Sequence, residues 1–311
     1  MKLTQKITSL FAAFLLLSAT LSSATYADSL VPSAAIKTEE ITGTNDLIKT
    51  NENGVAENDF NIINLPSEFD DGILLKSKGT GEDLKIGVPN NMKLSKPTIT
   101  ESGSYEYKND GPVDLILQPT EFGVRSIINI KDSSAPMEYK FELDIPEGHK
   151  LISSADYFGD VPGNELDTKE VFIVDENNII QSVFGKAWAV DANGVDVPTY
   201  YEVVDNTLIQ TVNFNENTAF PVLADPDWVA IGACSAALVW FVGSNLFVAA
   251  KIIKVRNYIK ALGGFKESAK LIAGATSWEE KLRVGGSALR SLAAEITGVT
   301  GLYACTRFFN K

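Results

Sequence analysis

The chain contains a single histidine, which limits the chemistry that its side chains can perform. His149 lies in a turn-like stretch at 146–150, between charged residues. A general base needs an oriented partner and a pocket, and a zinc ligand needs companion histidines or cysteines at short spacing. The sequence has no second histidine and no CxxC pair. We therefore predict that His149 is a solvated turn residue, with no catalytic histidine and no metal site.

Carboxylates offer a second source of chemistry, because paired acids hydrolyse glycosides without histidine. Most of the acids lie in turn-like stretches, and no spacing singles out two that converge. Residues 191–196 superficially resemble a calcium loop, but they lack the alternating ligands and the closing glutamate. Asn193-Gly194 is instead typical of a hairpin turn. We predict a non-enzymatic protein without a cofactor, and keep an envelope hydrolase that uses carboxylates as an alternative.

The two cysteines, Cys234 and Cys305, both lie in the last quarter of the chain. In an exported protein such an isolated pair predicts a disulfide, although two free thiols remain an alternative. A bond between them would close a loop of 72 residues. The chain-entropy model assigns such a loop about 4 kcal/mol of stabilisation.

Charge divides the chain into two unequal parts. The net charge is −13, yet residues 251–311 carry 11 Lys/Arg against 4 Asp/Glu, a balance of +7. Residues 28–250 consequently carry −22. A cationic, helix-patterned segment favours an anionic membrane or another cell-envelope component as its partner. The sequence gives no reason to expect nucleic acid, and it leaves the oligomeric state open.

The first 27 residues have the pattern of an export signal. Lys2 and Lys6 precede an apolar stretch at 10–17, and small residues lead to a cleavage site between Ala27 and Asp28. An uncleaved anchor is the alternative interpretation. Residues 28–65 are acidic and polar and contain no aromatic side chain before Phe60, so we predict a flexible acidic segment there.

Short strand-like runs broken by turns predict a mainly β, antiparallel sandwich-like domain at 66–227. Residues 137–145 alternate strictly between apolar and polar side chains, as in a strand with one solvated face. Residues 171–174 and 179–183 flank an acidic turn and predict a hairpin. Pro226 cannot donate a hydrogen bond to a ladder, so we expect the β part to end at Ala224-Asp225-Pro226-Asp227.

A small all-α, cationic C-terminal domain is predicted at 228–311. Apolar residues recur every three or four positions from Val248 to Leu262, and Gly263-Gly264 is typical of a helix stop. A short helix fits 265–273, and a capping-box pattern begins at Ser277.

The segment 229–250 contains no ionisable side chain apart from a cysteine and is long enough to span a bilayer. Its many small residues also suit the central helix of an exported bundle, which we favour because that arrangement lets the two cysteines meet. The membrane-facing candidates are aromatic residues of this segment and the basic residues that follow it: Trp240, Phe241, Phe247, Lys251, Lys254, Arg256 and Lys260.

Several motifs resemble a β module that recurs in secreted proteins of Gram-positive bacteria and ends in FPV-x-ADP. They are Ala-Trp-Ala-Val-Asp-Ala-Asn-Gly at 187–194, Val-Pro-Thr-Tyr at 197–200 and Phe-Pro-Val-Leu-Ala-Asp-Pro at 220–226. The resemblance covers roughly residues 65–227 and implies export and an uncharacterised role. It supplies no catalytic residues.

These observations predict a secreted or cell-surface protein that acts at the cell envelope. Its cationic tail would perturb an anionic membrane, as a bacteriocin-like toxin does, after proteolysis near 224–228. The alternative is a single-pass membrane protein whose β domain lies outside the cell and binds a wall or host partner.

Overall fold

Two antiparallel sheets face each other across a shared apolar core. The computed structural model describes residues 32–67, 72–78, 83–159, 167–178, 180–230, 249–274, 286–288 and 290–291. The seven-stranded sheet has the order β1-β2-β3-β4-β9-β15-β14. It consists of β1 (Val55–Glu57), β2 (Asn61–Asn64), β3 (Ile73–Ser77), β4 (Leu84–Ile86), β9 (Glu138–Asp144), β14 (Thr199–Val204) and β15 (Thr207–Val212).

The second sheet has ten strands, in the order β10-β11-β12-β17-β8-β7-β6-β5, with β16 pairing both β8 and β13. It consists of β5 (Thr98–Ile99), β6 (Tyr105–Tyr107), β7 (Val113–Pro119), β8 (Gly123–Ile130), β10 (Lys150–Ser153), β11 (Val171–Val174), β12 (Ile180–Phe184), β13 (Trp188–Val190), β16 (Val222–Asp225) and β17 (Asp227–Ala230). The mainly β, antiparallel part of the fold prediction is therefore confirmed.

Four α-helices with defined bounds accompany the sheets, and the described residues 286–288 and 290–291 are also helical. The four helices are α1 (Ala34–Thr42), α2 (Ser154–Phe158), α3 (Ala249–Ala261) and α4 (Phe265–Gly274), and a short 3-10 helix occupies Pro89–Asn91. None of the helices within these described ranges is both long and apolar enough to cross a membrane.

The alternation predicted at 137–145 appears in β9, where Tyr139, Phe141 and Leu143 enter the core and the residues between them are exposed. In contrast, every residue of β7 and β8 is buried. Their inward side chains fill the space between the sheets, while helix α1 covers part of their outer face. Ala35 of α1 packs there against Ile116 and Ile127.

The N-terminal acidic segment differs from its prediction as a flexible arm. The described part of 28–65 contains α1, β1 and β2, and Ala35, Ala56 and Ile63 are buried. The Ser33 hydroxyl caps α1 by accepting a hydrogen bond from the Ile36 amide at 3.3 Å. The segment has too few apolar residues for a core of its own, but it orders by adding strands and a helix to a core that later residues supply.

The strands also continue beyond the predicted boundary at Asp225-Pro226. β17 starts at Asp227, and Trp228 is buried at 3 % exposure, so the helical segment does not begin at 228 or 229. Pro226 is accommodated because it lies between two strands that both pair with β8, where its carbonyl accepts a hydrogen bond from the Ser126 amide at 3.0 Å.

Helices α3 and α4 occupy the positions at which the periodicity predicts helix, and Gly263 and Gly264 separate them with positive φ angles. These two helices belong to the same compact unit as the strands. The complete all-α domain remains a prediction, because most of 228–311 lies outside the described residues. The signal peptide and its cleavage site between Ala27 and Asp28 also lie outside them.

Candidate functional site

Two aspartates flank Pro226 and are buried on the outer face of the ten-stranded sheet. Asp225 ends β16 with 1 % of its surface exposed, and Asp227 begins β17 with 4 % exposed. Neighbouring strands hold them in place, since Asp225 lies opposite Trp188 in one ladder and Asp227 lies opposite Arg125 in another. Local pairing thus places two carboxylates next to one proline.

The Asp225 carboxylate is the least satisfied acid of the pair. Neither of its side-chain oxygens has a hydrogen-bond partner among the described residues. Burial, followed by repulsion from Asp227, raises the pKa of Asp225 to about 8. The nearby Trp188 indole and the Lys266 and Arg125 cations favour the charged form, but they only partly offset the burial. Burial therefore favours the neutral, protonated form of Asp225.

The main-chain carbonyl of Asp225 has a specific partner from the opposite sheet. Tyr201 of β14 donates its phenolic hydrogen to this carbonyl oxygen at 2.7 Å. Burial, together with the charges of Asp225 and Asp227, raises the pKa of Tyr201 well above its ordinary value. The phenol consequently stays protonated and polarises the peptide carbonyl that precedes Pro226.

Two cations approach Asp227 from different elements. The Lys266 ammonium of α4 lies 2.8 Å from its Oδ2 atom, and the Arg125 Nε atom lies 3.7 Å from the same oxygen. Arg125 also pairs with Asp46 and donates to Gln118 Oε1 at 3.2 Å. Burial alone would lower the pKa of Lys266, but Asp227 and Asp225 outweigh it and raise that pKa. An ion-pair network thus joins the N-terminal segment, the sheet and helix α4.

Glu170 anchors the beginning of α4. Its two carboxylate oxygens accept hydrogen bonds from the Phe265 amide at 2.9 Å and the Lys266 amide at 2.8 Å. Thr168 donates a third hydrogen bond at 2.7 Å. A carboxylate at a helix N-terminus satisfies otherwise unpaired amides and interacts favourably with the helix dipole. Burial nevertheless raises the pKa of Glu170, since this side chain is only 2 % exposed.

The approach of α4 to Glu170 requires Gly264. A Cβ atom at this position would lie 2.9 Å from the Glu170 carboxylate, and its φ of +106° disfavours other residues. The Gly263-Gly264 pair therefore ends α3 and also lets the chain pass close to β11.

Aromatic contacts complete the attachment of the helices to the strands. The Phe265 ring stacks on Phe158 at 5.4 Å between centroids and meets Phe172 edge-on at 5.8 Å. Val255 and Ile259 of α3 are fully buried. The apolar side chains that are described as buried on these two helices, Val255, Ile259 and Phe265, thus face protein.

The predicted membrane-facing residues that the structure describes differ in their exposure to solvent. Arg256 is 9 % exposed and lies 5.6 Å from the centre of the Phe158 ring, so its head group contacts protein rather than solvent. Lys254 and Lys260 are exposed on α3. Lys251 lies on α3, but its side chain is outside the described residues, as are Trp240, Phe241, Phe247, Cys234 and Cys305. The lipid contacts and the disulfide remain predictions.

His149 and the calcium-like sequence at 191–196 both lie in turns of the described chain. His149 follows β9 in a turn, with its Nδ1 atom 3.3 Å from the Glu147 carbonyl oxygen. The Asp191 carboxylate accepts hydrogen bonds from the amides of Asn193, Val195 and Ala219, which lower its pKa. Among the described residues no three His, Cys, Asp or Glu side chains are grouped to hold a metal ion.

The described part of the chain contains cavities of different size, of which one borders these elements. The smaller, of about 530 Å³, is lined by Asp167, Glu170, Lys186 and Tyr201, so it reaches both the α4 anchor and the phenol that contacts Asp225. The larger, of about 1160 Å³, lies away from the acidic pair and is lined by Lys49, Leu94, Lys96, Ile99 and Tyr105, among others.

Sequence reasoning missed this site because its partners are distant along the chain. The sequence predicts only the end of the β part at Asp225 and Asp227, whereas each is buried and interacts with other elements. The detectable signal was the unusual alternation of Asp-Pro-Asp immediately before the buried Trp228. Tyr201 and Glu170 gave no comparable signal, since tyrosine and glutamate are common in strands and turns of this chain.

Comparison with protein families and with curated proteins yields no match: no family model fits the chain, and no curated protein is significantly similar to it. The functional conclusions therefore depend on the geometry of these residues.

Proposed function

We propose that this is an exported carrier protein of the cell envelope, in which the β part holds a cationic helical segment in an inactive position. On release, this segment acts on an anionic membrane in the manner of a bacteriocin-like toxin. The observation that carries the proposal is the attachment of α4, whose first two amides both bind the buried Glu170 carboxylate.

The attachment covers the surfaces that a membrane-active segment would use. Phe265 is inserted between aromatic residues of the β part, and Lys266 is paired with Asp227. An amphipathic helix binds a bilayer through its apolar face and its basic residues together. In the docked state Phe265 and Lys266 are engaged by protein, so the exposed Lys254 and Lys260 can contact a bilayer only without the apolar contact of Phe265 until the helices separate.

The charge distribution supports the same proposal. Residues 251–311 carry +7 and residues 28–250 carry −22, so the acidic part attracts the cationic part before any specific contact forms. Salt weakens such long-range attraction, whereas the buried contacts of Glu170 and Lys266 are screened less. Release consequently requires those short-range contacts to break.

Vesicle leakage tests the proposal on the full chain. We expect the wild type to release little dye from anionic phosphatidylglycerol vesicles, and Glu170→Ala to release considerably more, because the variant weakens the α4 anchor. Glu202→Gln, which removes an exposed carboxylate of β14, is the matched control and should behave as the wild type. Equal, negligible leakage by all three proteins would contradict the proposal, provided that α4 is shown to be detached in Glu170→Ala.

A second candidate is favoured by the larger cavity. Its volume of about 1160 Å³ and its mixed lining of lysines, prolines and aliphatic side chains would suit a wall or host ligand bound by the β part. This is the role expected of a single-pass surface protein. Protease treatment of intact cells distinguishes the candidates, since that protein would leave a membrane-retained C-terminal fragment.

A further inference from the structure

We propose that the protein cleaves its own Asp225–Pro226 peptide bond. This activity goes beyond the carrier role, because self-cleavage separates the β part from the cationic helices without a protease. It is a single-turnover reaction within one chain, and it needs no cofactor or co-reactant besides water. Asp225–Pro226 is the only Asp–Pro bond in the sequence.

The nucleophile is the side chain of Asp225 itself. Attack of one carboxylate oxygen on the main-chain carbonyl carbon of the same residue closes a five-membered cyclic anhydride. Intramolecular attack of this kind gains a large advantage from proximity. Neither oxygen of Asp225 makes a hydrogen bond of good geometry among the described residues. The nearby Trp188 indole offers a weak one, so the attack has little to break.

The carbonyl that would be attacked is already polarised. Tyr201 donates a hydrogen bond of 2.7 Å to this same oxygen, and it is oriented by β14 of the opposite sheet. As the carbon becomes tetrahedral, negative charge develops on the oxygen and strengthens this hydrogen bond. A preorganised donor in a buried site is the usual device for stabilising such an oxyanion.

The leaving group is the nitrogen of Pro226, which must gain a proton as it departs. The Asp225 carboxyl group carries that proton itself, because burial and then repulsion from Asp227 favour its neutral form. The carboxyl O–C bond forms, the O–H and C–N bonds break, and the proton moves from the Asp225 carboxyl group to the proline nitrogen. Water then hydrolyses the anhydride to the side-chain and α-carboxyl groups of Asp225.

The cavity of about 530 Å³ is lined by Tyr201 but not by Asp225 or Pro226. Water that enters it therefore has to pass the Tyr201 side chain, whose hydroxyl contacts the Asp225 carbonyl, to hydrolyse the anhydride. The products are one chain ending at Asp225 and another beginning at Pro226. Strand β17 of the second chain still pairs with β8 and β12, so the cleaved halves remain associated until these contacts open.

The test uses purified full-length protein incubated at 37 °C with protease inhibitors and analysed by denaturing mass spectrometry. We expect two fragments that meet at Asp225 and Pro226, at a rate that falls when the same protein is unfolded in guanidinium. Hydroxylamine added during the incubation should convert the new C-terminal residue to a hydroxamate, because it traps the anhydride.

Three variants assign the roles. Asp225→Asn should abolish cleavage, since it removes the acid. Tyr201→Phe should slow cleavage roughly 100-fold, the usual effect of losing one oxyanion donor. Tyr258→Phe is the matched control, because this half-buried tyrosine of α3 does not line the cavity beside Tyr201, and it should cleave at the wild-type rate.

The proposal is overturned if folded wild type stays intact over several days, or if folded and unfolded chains are cleaved equally fast. Cleavage of Tyr201→Phe at the wild-type rate would remove the assigned role of the phenol. The two proposals are tested with different variants, since the vesicle assay changes Glu170 and the cleavage assay changes Asp225 and Tyr201. If self-cleavage is not observed, the vesicle assay still tests the carrier function. If the vesicle assay fails, mass spectrometry still tests self-cleavage.

Discussion

Replacement of Glu170 by alanine is expected to detach helix α4 from the β part. The substitution leaves the Phe265 and Lys266 amides without their acceptors, at 2.9 and 2.8 Å in the wild type. A buried donor left unsatisfied costs about 1–3 kcal/mol. Two such donors amount to roughly 2–6 kcal/mol. The lower half of this range is more realistic, because burying the Glu170 charge is itself unfavourable, as its raised pKa indicates.

Hydrogen exchange measures this effect at the helix itself. A loss of about 3 kcal/mol in the free energy that opens α4 would accelerate exchange of its amides roughly 100-fold, since each 1.4 kcal/mol is a factor of ten. Glu170→Gln keeps one acceptor and should give an intermediate rate. Glu202→Gln should leave exchange unchanged. If α4 in Glu170→Ala exchanges at the wild-type rate, the carboxylate does not hold the helix and the reasoning is wrong.

Three further predictions concern the contacts around this site. Phe265→Ala removes a ring packed on Phe158 and should destabilise the docked helix by about 3 kcal/mol or more, measured by the same exchange experiment; an unchanged rate would contradict it. Asp225→Asn should become increasingly stabilising, relative to the wild type, as the pH rises from about 4 to 8. The wild type loses stability over this range because the folded chain keeps the Asp225 proton, which the unfolded chain releases near pH 3.8. The change in the free energy of unfolding between the two proteins over this range has an upper bound of roughly 5 kcal/mol. Urea titrations that give the same difference in unfolding free energy at every pH would refute this prediction. Gly123→Ala should unfold or strongly destabilise the protein, because its Cβ would lie 2.1 Å from the Trp228 carbonyl oxygen; a melting temperature within 2 °C of the wild type, a tolerance of about 0.5 kcal/mol, would contradict this.

Local patterns were sufficient to predict many of the strands. The alternation in β9 and the turn between β11 and β12 depend on neighbouring residues, so the sequence contains the information directly. The same holds for the glycine pair between α3 and α4. Each feature is decided within about ten residues.

Features that depend on distant partners could not be predicted in this way. The acidic segment at 33–65 orders against strands that follow it, and Pro226 is tolerated because β8 pairs on both sides of it. Arg256 was expected to face a membrane because its charge was considered without the Phe158 ring that it contacts. In each case the local sequence has the property that was noted, but tertiary packing decides whether the segment is ordered and whether the side chain is buried.

The candidate site was the least predictable part of the protein. Tyr201 lies on a different sheet from the Asp225 carbonyl that it contacts, and Glu170 is separated by 95 residues from the helix that it caps. Neither relation leaves a periodic or compositional pattern. The sequence did indicate that the acidic and cationic parts of the chain differ in charge. The ion pair between Lys266 and Asp227 is one short-range contact between residues of these two parts.

Hydrogen exchange of wild-type α4 with and without anionic vesicles tests the central claim most directly. If the β part holds the helix until a membrane competes for it, amides of 265–274 should be protected in solution and should lose their β-part contacts once vesicles bind. The protection of Phe265 and Lys266 should then change while that of β7 and β8 does not. Unchanged protection of α4 in protein that is demonstrably bound to the vesicles would contradict the claim.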